Sequence, residues 1–209
     1  EVLGKRGDFG EAERLFRQAL ETKTGAGLGK SLQAAKSLSG VAEMLMEQGK
    51  YADAEPLYKR SLALRRSVLG DTHADVAENL QDLGFNYFKR GDFKQGESYL
   101  RAAVEMRRKL HGAAHPDLAL AINDLAWAVY ELGDLREAEA LMREALEMKR
   151  TLLGENHPEV ALALNNVAWT LFDLGEVDEA EALTRQAIAV QRLAVGESHP
   201  NLAMFIGNL

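Results

Sequence analysis

The 209-residue sequence contains no cysteine, so a disulfide framework and a thiolate site are both excluded. That usage suits a reducing compartment, and a cytoplasmic location is expected. Positive charge is also short: 25 Lys and Arg stand against 32 Asp and Glu, a net charge of −7. Binding to a phosphate backbone draws on Lys and Arg that neutralise phosphates, so nucleic acid is not an expected partner. Apolar runs are brief. The stretch from Leu118 to Val129 is broken by Asn123 and Asp124 and falls short of the roughly 20 residues that cross a bilayer. No membrane partner is expected, and nothing reads as a secretory leader. HExxH, GxSxG, a clustered carboxylate pair and a Cys/His nucleophile set are missing as well. No catalytic residue and no cofactor are therefore assigned in this segment.

Periodicity is what the sequence has instead. With 46% hydrophobic and 27% charged residues the composition is that of an ordinary packed chain. His73, His115, His157 and His199 stand 42 residues apart. Gly49, Gly91, Gly133 and Gly175 keep that spacing, with Gly7 one step earlier, and so do Gly70, Gly112, Gly154 and Gly196. One unit has been copied several times. A unit of this size cannot bury its apolar face alone; it stacks on its neighbours and yields an extended surface more readily than an enzyme pocket. Glu1 rather than Met opens the sequence, only six residues before Gly7, and the copy starting at His199 stops halfway. Both features read as a fragment of a longer protein.

Within residues 117–154, Ile122, Leu125, Ala126 and Val129 recur at helical spacing. They predict an amphipathic helix that Gly133 ends in a left-handed cap. A second helix is predicted from about Leu135 to Leu153, with Ala138, Leu141, Ala145, Leu146 and Met148 as its buried stripe and Gly154 at its end. His157-Pro158-Glu159 opens the next hairpin. Proline suits the first helical turn because its missing N–H costs nothing there, and the acid suits the helix dipole.

The hairpins follow a pattern: Leu80, Leu83, Gly84, Tyr87, Gly96, Leu100; then Ile122, Leu125, Ala126, Val129, Ala138, Met142; then Leu164, Val167, Ala168, Leu171, Ala180, Thr184. Leu38, Val41, Ala42, Leu45, Ala54 and Tyr58 form an earlier copy, and Ala12 with Phe16 a partial one. This resembles the tetratricopeptide repeat, W-x2-L-G-x2-Y followed by A-x3-F, with Leu or Ile in place of the tryptophan and without the late proline. Small residues at Ala54, Gly96, Ala138 and Ala180 permit close helix approach. The 42-residue length, Leu153-Gly154-Glu155-Asn156-His157-Pro158 and the pair Asn165-Asn166 look like the kinesin light chain variety. The resemblance implies an all-α fold, a right-handed α-solenoid of stacked helical hairpins, over 1–209 as a single domain. Its expected divisions are a partial repeat 1–31, full repeats at about 32–73, 74–115, 116–157 and 158–199, and a truncated helix 200–209.

Three further patterns read as structural. Glu13, Glu55, Glu97, Glu139 and Glu181 each precede a base by four residues, the favourable helical orientation worth about 0.2–0.5 kcal/mol, and predict a solvated face. Arg66, Arg108, Arg150 and Arg192 lie near helix C-termini, where positive charge suits the dipole. The repeated histidines cannot share a metal, since equivalent positions lie roughly 16–20 Å apart at ordinary helix spacing; no metal is assigned, and His111 is an unrepeated oddity. Residues 24–31, ending Gly29-Lys30-Ser31, look like a phosphate-binding loop. Thr24 occupies the required glycine, however, a helix from about Glu11 to Lys23 precedes it in place of a strand, and Ser31 falls in the register of His73. An inter-hairpin loop is expected there.

The candidate site is a stripe on the first helix of each hairpin: Gln81, Phe85 and Phe88, then Asn123, Trp127 and Tyr130, then Asn165, Trp169 and Phe172. These sit at i, i+4 and i+7, rotated by about 100° from the core stripe. The resemblance implies that this face lines a concave groove where Asn side chains hold an extended peptide. Asn166 lies beside it. Asp82, Asp124, Glu131 and Asp173 outnumber Lys89, so the expected ligand is a net-basic protein or peptide segment with an apolar anchor. Two alternatives stay open: a structural scaffold or spacer that self-associates through open solenoid ends, and a regulatory appendage of a larger signalling enzyme such as a protein kinase or NTPase. Aromatics that merely pack would favour the spacer.

Overall fold

A computed structural model of the chain describes residues 9–25, 27, 29–196 and 199–208. Gly7 lies outside the described residues, as do Ala26 and Leu28 of the glycine-rich loop. Among the described residues every regular element is an α-helix: α1 Phe9–Gly25, α2 Leu32–Glu47, α3 Tyr51–Leu69, α4 Ala74–Arg90, α5 Phe93–His111, α6 Pro116–Glu131, α7 Leu135–Leu153, α8 Pro158–Asp173, α9 Val177–Val195 and α10 Pro200–Gly207. The chain divides into two compact units, Glu1–Leu110 and His111–Leu209. Within each, packing runs between consecutive helices.

The histidines explain where the first helices start. His73, His115, His157 and His199 are the N-caps of α4, α6, α8 and α10. Each Nδ1 accepts a hydrogen bond from the backbone N–H two residues on, at 3.0–3.2 Å. A bare Nδ1 requires the neutral ring with its proton on Nε2. Ser31 performs the same task for α2, accepting from the Ala34 N–H at 3.2 Å, so the glycine-rich stretch ends as an inter-hairpin cap. His157→Ala is expected to cost about 1 kcal/mol, the usual worth of an N-cap, and His157→Asn to recover most of it; urea titration of the three proteins checks this.

At the other end of these helices Gly91, Gly133 and Gly175 take φ of 86°, 87° and 82°. This left-handed turn lets the next N–H reach back to the carbonyls of Tyr87, Val129 and Leu171. The apolar stripe is buried in each unit. Leu38, Val41, Tyr58 and Leu83 fill the first, and Ile122, Met142, Leu164, Leu171 and Phe205 the second. On α7 it is Met142, one residue past the expected Leu141, that faces fully inward, while Leu141 is half-buried at the edge of the core.

The glutamate ladder does more than expected. Glu13 accepts from Gln48 at 2.9 Å, and Glu55 accepts from Tyr87 and Arg90 at 2.8 and 2.7 Å, so both clamp one hairpin to the next. In the second unit Arg143 holds Glu139 and also Glu179. A further 42-residue series, Arg65, Arg107, Lys149 and Gln191, is buried or nearly so. Arg65 donates to the Asp75 carbonyl and to Glu78 at 2.7 Å; Lys149 pairs with Glu159 at 3.3 Å; Gln191 bonds the His199 ring at 3.0 Å. Arg65, Lys149 and Gln191 each grip the start of the following hairpin.

Candidate functional site

In the second unit α6 and α8 carry their polar and aromatic residues one turn apart, so the rows run side by side. Asn166 Nδ2 donates to Asn123 Oδ1 at 3.0 Å, and Asn208 Nδ2 donates to Asn165 Oδ1 at 3.0 Å. The two bonds share one 43-residue offset, an asparagine ladder from helix to helix. It consumes the acceptors of Asn123 and Asn165 and leaves their Nδ2 donors without a protein partner among the described residues. Asn165 is itself buried and Asn166 half-buried.

The aromatics divide. Trp127 is half-buried against the core and meets Tyr130 edge-on at 5.4 Å. Trp169 is 44% exposed and Phe172 61% exposed. The Trp169 Nε1 donates to the Tyr130 hydroxyl at 2.9 Å, which in turn donates to Asp173. Burial together with that carboxylate raises the Tyr130 pKa. The indole is thus held in place while its face stays wet. Beside it Asn165, Trp169, Phe172, Val177, Thr184 and Asn208 line a cavity of about 230 Å³. Asp124 is half-buried and Glu131 exposed on the same helix.

In the first unit Gln81 is buried, while Phe85 and Phe88 stack at 6.1 Å with the Lys89 ammonium 5.0 Å over the Phe85 ring. Asp82 lines a separate cavity of about 680 Å³ together with Phe16, Glu43, Tyr58, Arg65 and Glu78. Burial, then the charge of Glu78, push its carboxyl up to about 7, against the pull of Arg65. Residues that sequence reasoning passed over complete both pockets. Glu43 is in the register of Phe85, Trp127 and Trp169, and Asn208 in that of Asn166, so the repeat itself was the signal.

The chain matches the model of the tetratricopeptide repeat over residues 33–95 and 78–151, and two related models over 160–201 and 1–18. It belongs to the tetratricopeptide repeat family. Its TPR fold is similar to that of a Podosopora anserina protein of nearly identical, kinesin-light-chain-type TPR-like repeats, at 21% identity over 91% of this chain and 90% of that one, TM-score 0.81. It is similar also to BtubC of P. vanneervenii, at 23% identity over 98% and 81%, TM-score 0.80, and to MamA, at 17% identity over 91% and 93%, TM-score 0.65. No curated protein matches the sequence. A TPR solenoid is in general a protein-interaction scaffold rather than a catalyst. Among the described residues no helix is long and apolar enough to cross a membrane.

Proposed function

We propose that the TPR face of the second unit binds an extended, net-basic peptide with an apolar or aromatic anchor, and that this segment performs no catalysis. The supporting observation is the exposed Trp169–Phe172 pair beside the cavity of about 230 Å³, a recess sized for one anchor side chain. The unpaired Nδ2 donors of Asn123 and Asn165 suit the carbonyls of a main chain laid along the ladder. Asp124, Glu131 and Asp173 supply negative charge around them, which favours a basic partner and disfavours an acidic one.

Selection from a peptide library followed by calorimetry tests this. Trp169→Ala is expected to weaken binding by about 1–3 kcal/mol, as loss of an anchor contact does, with the melting temperature nearly unchanged. Binding should also weaken with salt, because carboxylates facing a basic ligand are screened over roughly 8–10 Å. If no peptide is selected, or if Trp169→Ala unfolds the unit, the aromatics belong to the core. One observation favours the spacer reading: Leu193, Val195, Met204 and Ile206 are exposed by 41–70% around α9 and α10, an apolar surface on which a further copy or partner can stack.

A further inference from the structure

The repeated histidines each cap a helix alone, but His111 alters one loop. Its position is Leu69, Leu153 and Val195 in the other copies, so a second imidazole stands only between α5 and α6. His111 ends α5, Gly112 turns the chain at φ 75°, and His115 caps α6. The two rings stack with centroids 3.8 Å apart and planes at 12°. One ligand atom from each ring and one from the Asp117 carboxylate all lie within 4.8 Å of one another. We propose that His111, His115 and Asp117 form a binding site for a divalent transition-metal ion of the Zn²⁺, Ni²⁺ or Cu²⁺ class.

The donor set selects that class. Two imidazole nitrogens and one carboxylate oxygen suit Zn²⁺, Ni²⁺ and Cu²⁺, whereas Ca²⁺ and Mg²⁺ take oxygen alone. Metal–nitrogen bonds of about 2.0–2.1 Å put neighbouring ligands roughly 3.0–3.4 Å apart, so the three donors must close in and the rings tilt towards each other. His111 and His115 are half-buried and Asp117 is exposed, so side-chain rotation suffices. Three protein ligands leave the remaining coordination positions to water. The distance argument that forbids one ion between equivalent histidines does not apply here, because both rings belong to one short loop.

Proton placement sets the cost. Without metal, His115 Nδ1 accepts from the Asp117 N–H at 3.2 Å. If Nε2 takes the ion, the ring proton must sit on Nδ1 and that cap is lost. Asp117 Oδ2, 3.8 Å from Nδ1, then stands behind the metal-bound histidine and cannot also reach the ion, so all three donors meet on one ion only when His115 binds through Nδ1. If Nδ1 takes the ion directly, the cap is lost as well. Metal and cap therefore compete at His115.

Calorimetric titration of the chain with Zn²⁺ and with Ni²⁺ tests the site. Saturable binding of one ion is expected, weakened at least about tenfold by His111→Leu, the residue found in two other copies and so compatible with the fold. Asp117→Asn should weaken it less, and His73→Gln, which alters an equivalent cap lacking a second ring, should leave it unchanged. In amide spectra Cu²⁺ should broaden residues 111–117 first, and Zn²⁺ should shift the Asp117 N–H as its bond to Nδ1 is lost. Absence of saturable binding, or a His111→Leu protein that binds as tightly as the parent, overturns the proposal.

Discussion

Gly96→Val is expected to destabilise the first unit by roughly 1–3 kcal/mol, the cost of overpacking a tight contact. A Cβ at Gly96 would lie 3.0 Å from the Gly84 carbonyl oxygen and 3.2 Å from the Phe88 nitrogen. Both are backbone atoms that no rotamer change can move. The same positions in other hairpins hold Ala54 with Ala42, Ala138 with Ala126 and Ala180 with Ala168, so α4 and α5 cross with less between them. Gly96→Ala should be nearly neutral, because relief of glycine's helix penalty of about 1 kcal/mol offsets a few tenths of an ångström of strain. Valine adds two branches with nowhere to go. Denaturant unfolding of the three proteins separates these outcomes, and a valine variant as stable as the parent would show that the helices part freely.

Asp82→Asn should stabilise the protein at pH 8 by on the order of 1–3 kcal/mol and leave it unchanged near pH 4. The carboxyl is pushed up to about 7 in the folded chain, first by burial and then by Glu78, with Arg65 opposing and Glu43 adding to the rise. In the unfolded chain it titrates near 3.9. Between about pH 4 and 7 the folded state therefore holds a proton that the unfolded state has released. By linkage, the contribution of Asp82 to stability is full below pH 4 and is lost as pH climbs through 7. The asparagine keeps the shape and has no proton to lose. Melting curves of the two proteins from pH 4 to 8 should diverge with rising pH; a constant gap would mean that Asp82 is solvated in the folded state.

The fold was legible because period, caps and small residues pointed the same way. Gly91, Gly133 and Gly175 end helices where a left-handed residue is needed, and Ala12, Ala54, Ala138 and Ala180 sit where helices touch. The site was legible only in outline. Spacing put Asn123, Trp127 and Tyr130 on one face, but no spacing rule says that Trp127 turns towards the core while Trp169 stays in water. That depends on what the neighbouring helix offers: Trp169 has Tyr130 as a hydrogen-bond partner, and Asn165 has Asn208. The histidines open the hairpins through rings that accept from their own backbone, a detail that lies in one side-chain torsion and not in the spacing. The buried series of Arg65, Arg107, Lys149 and Gln191 hid behind the adjacent arginines, since its members share a place in the repeat but not a residue type.

That series also bears on how the molecule answers a pulling force. Arg65, Lys149 and Gln191 anchor the opening turn of the hairpin after them, and within each unit packing links consecutive helices. Within a unit, load applied along the chain is then carried in series, through one junction after another, and the weakest junction yields first. A released repeat of 42 residues would pay out up to roughly 140–150 Å of extended chain while its neighbours stay folded. Arg65, with its salt bridge to Glu78, makes a stiffer coupling than Gln191, which holds His199 by a single neutral hydrogen bond. The junction that opens α10 is therefore expected to yield at a lower load than the one that opens α4.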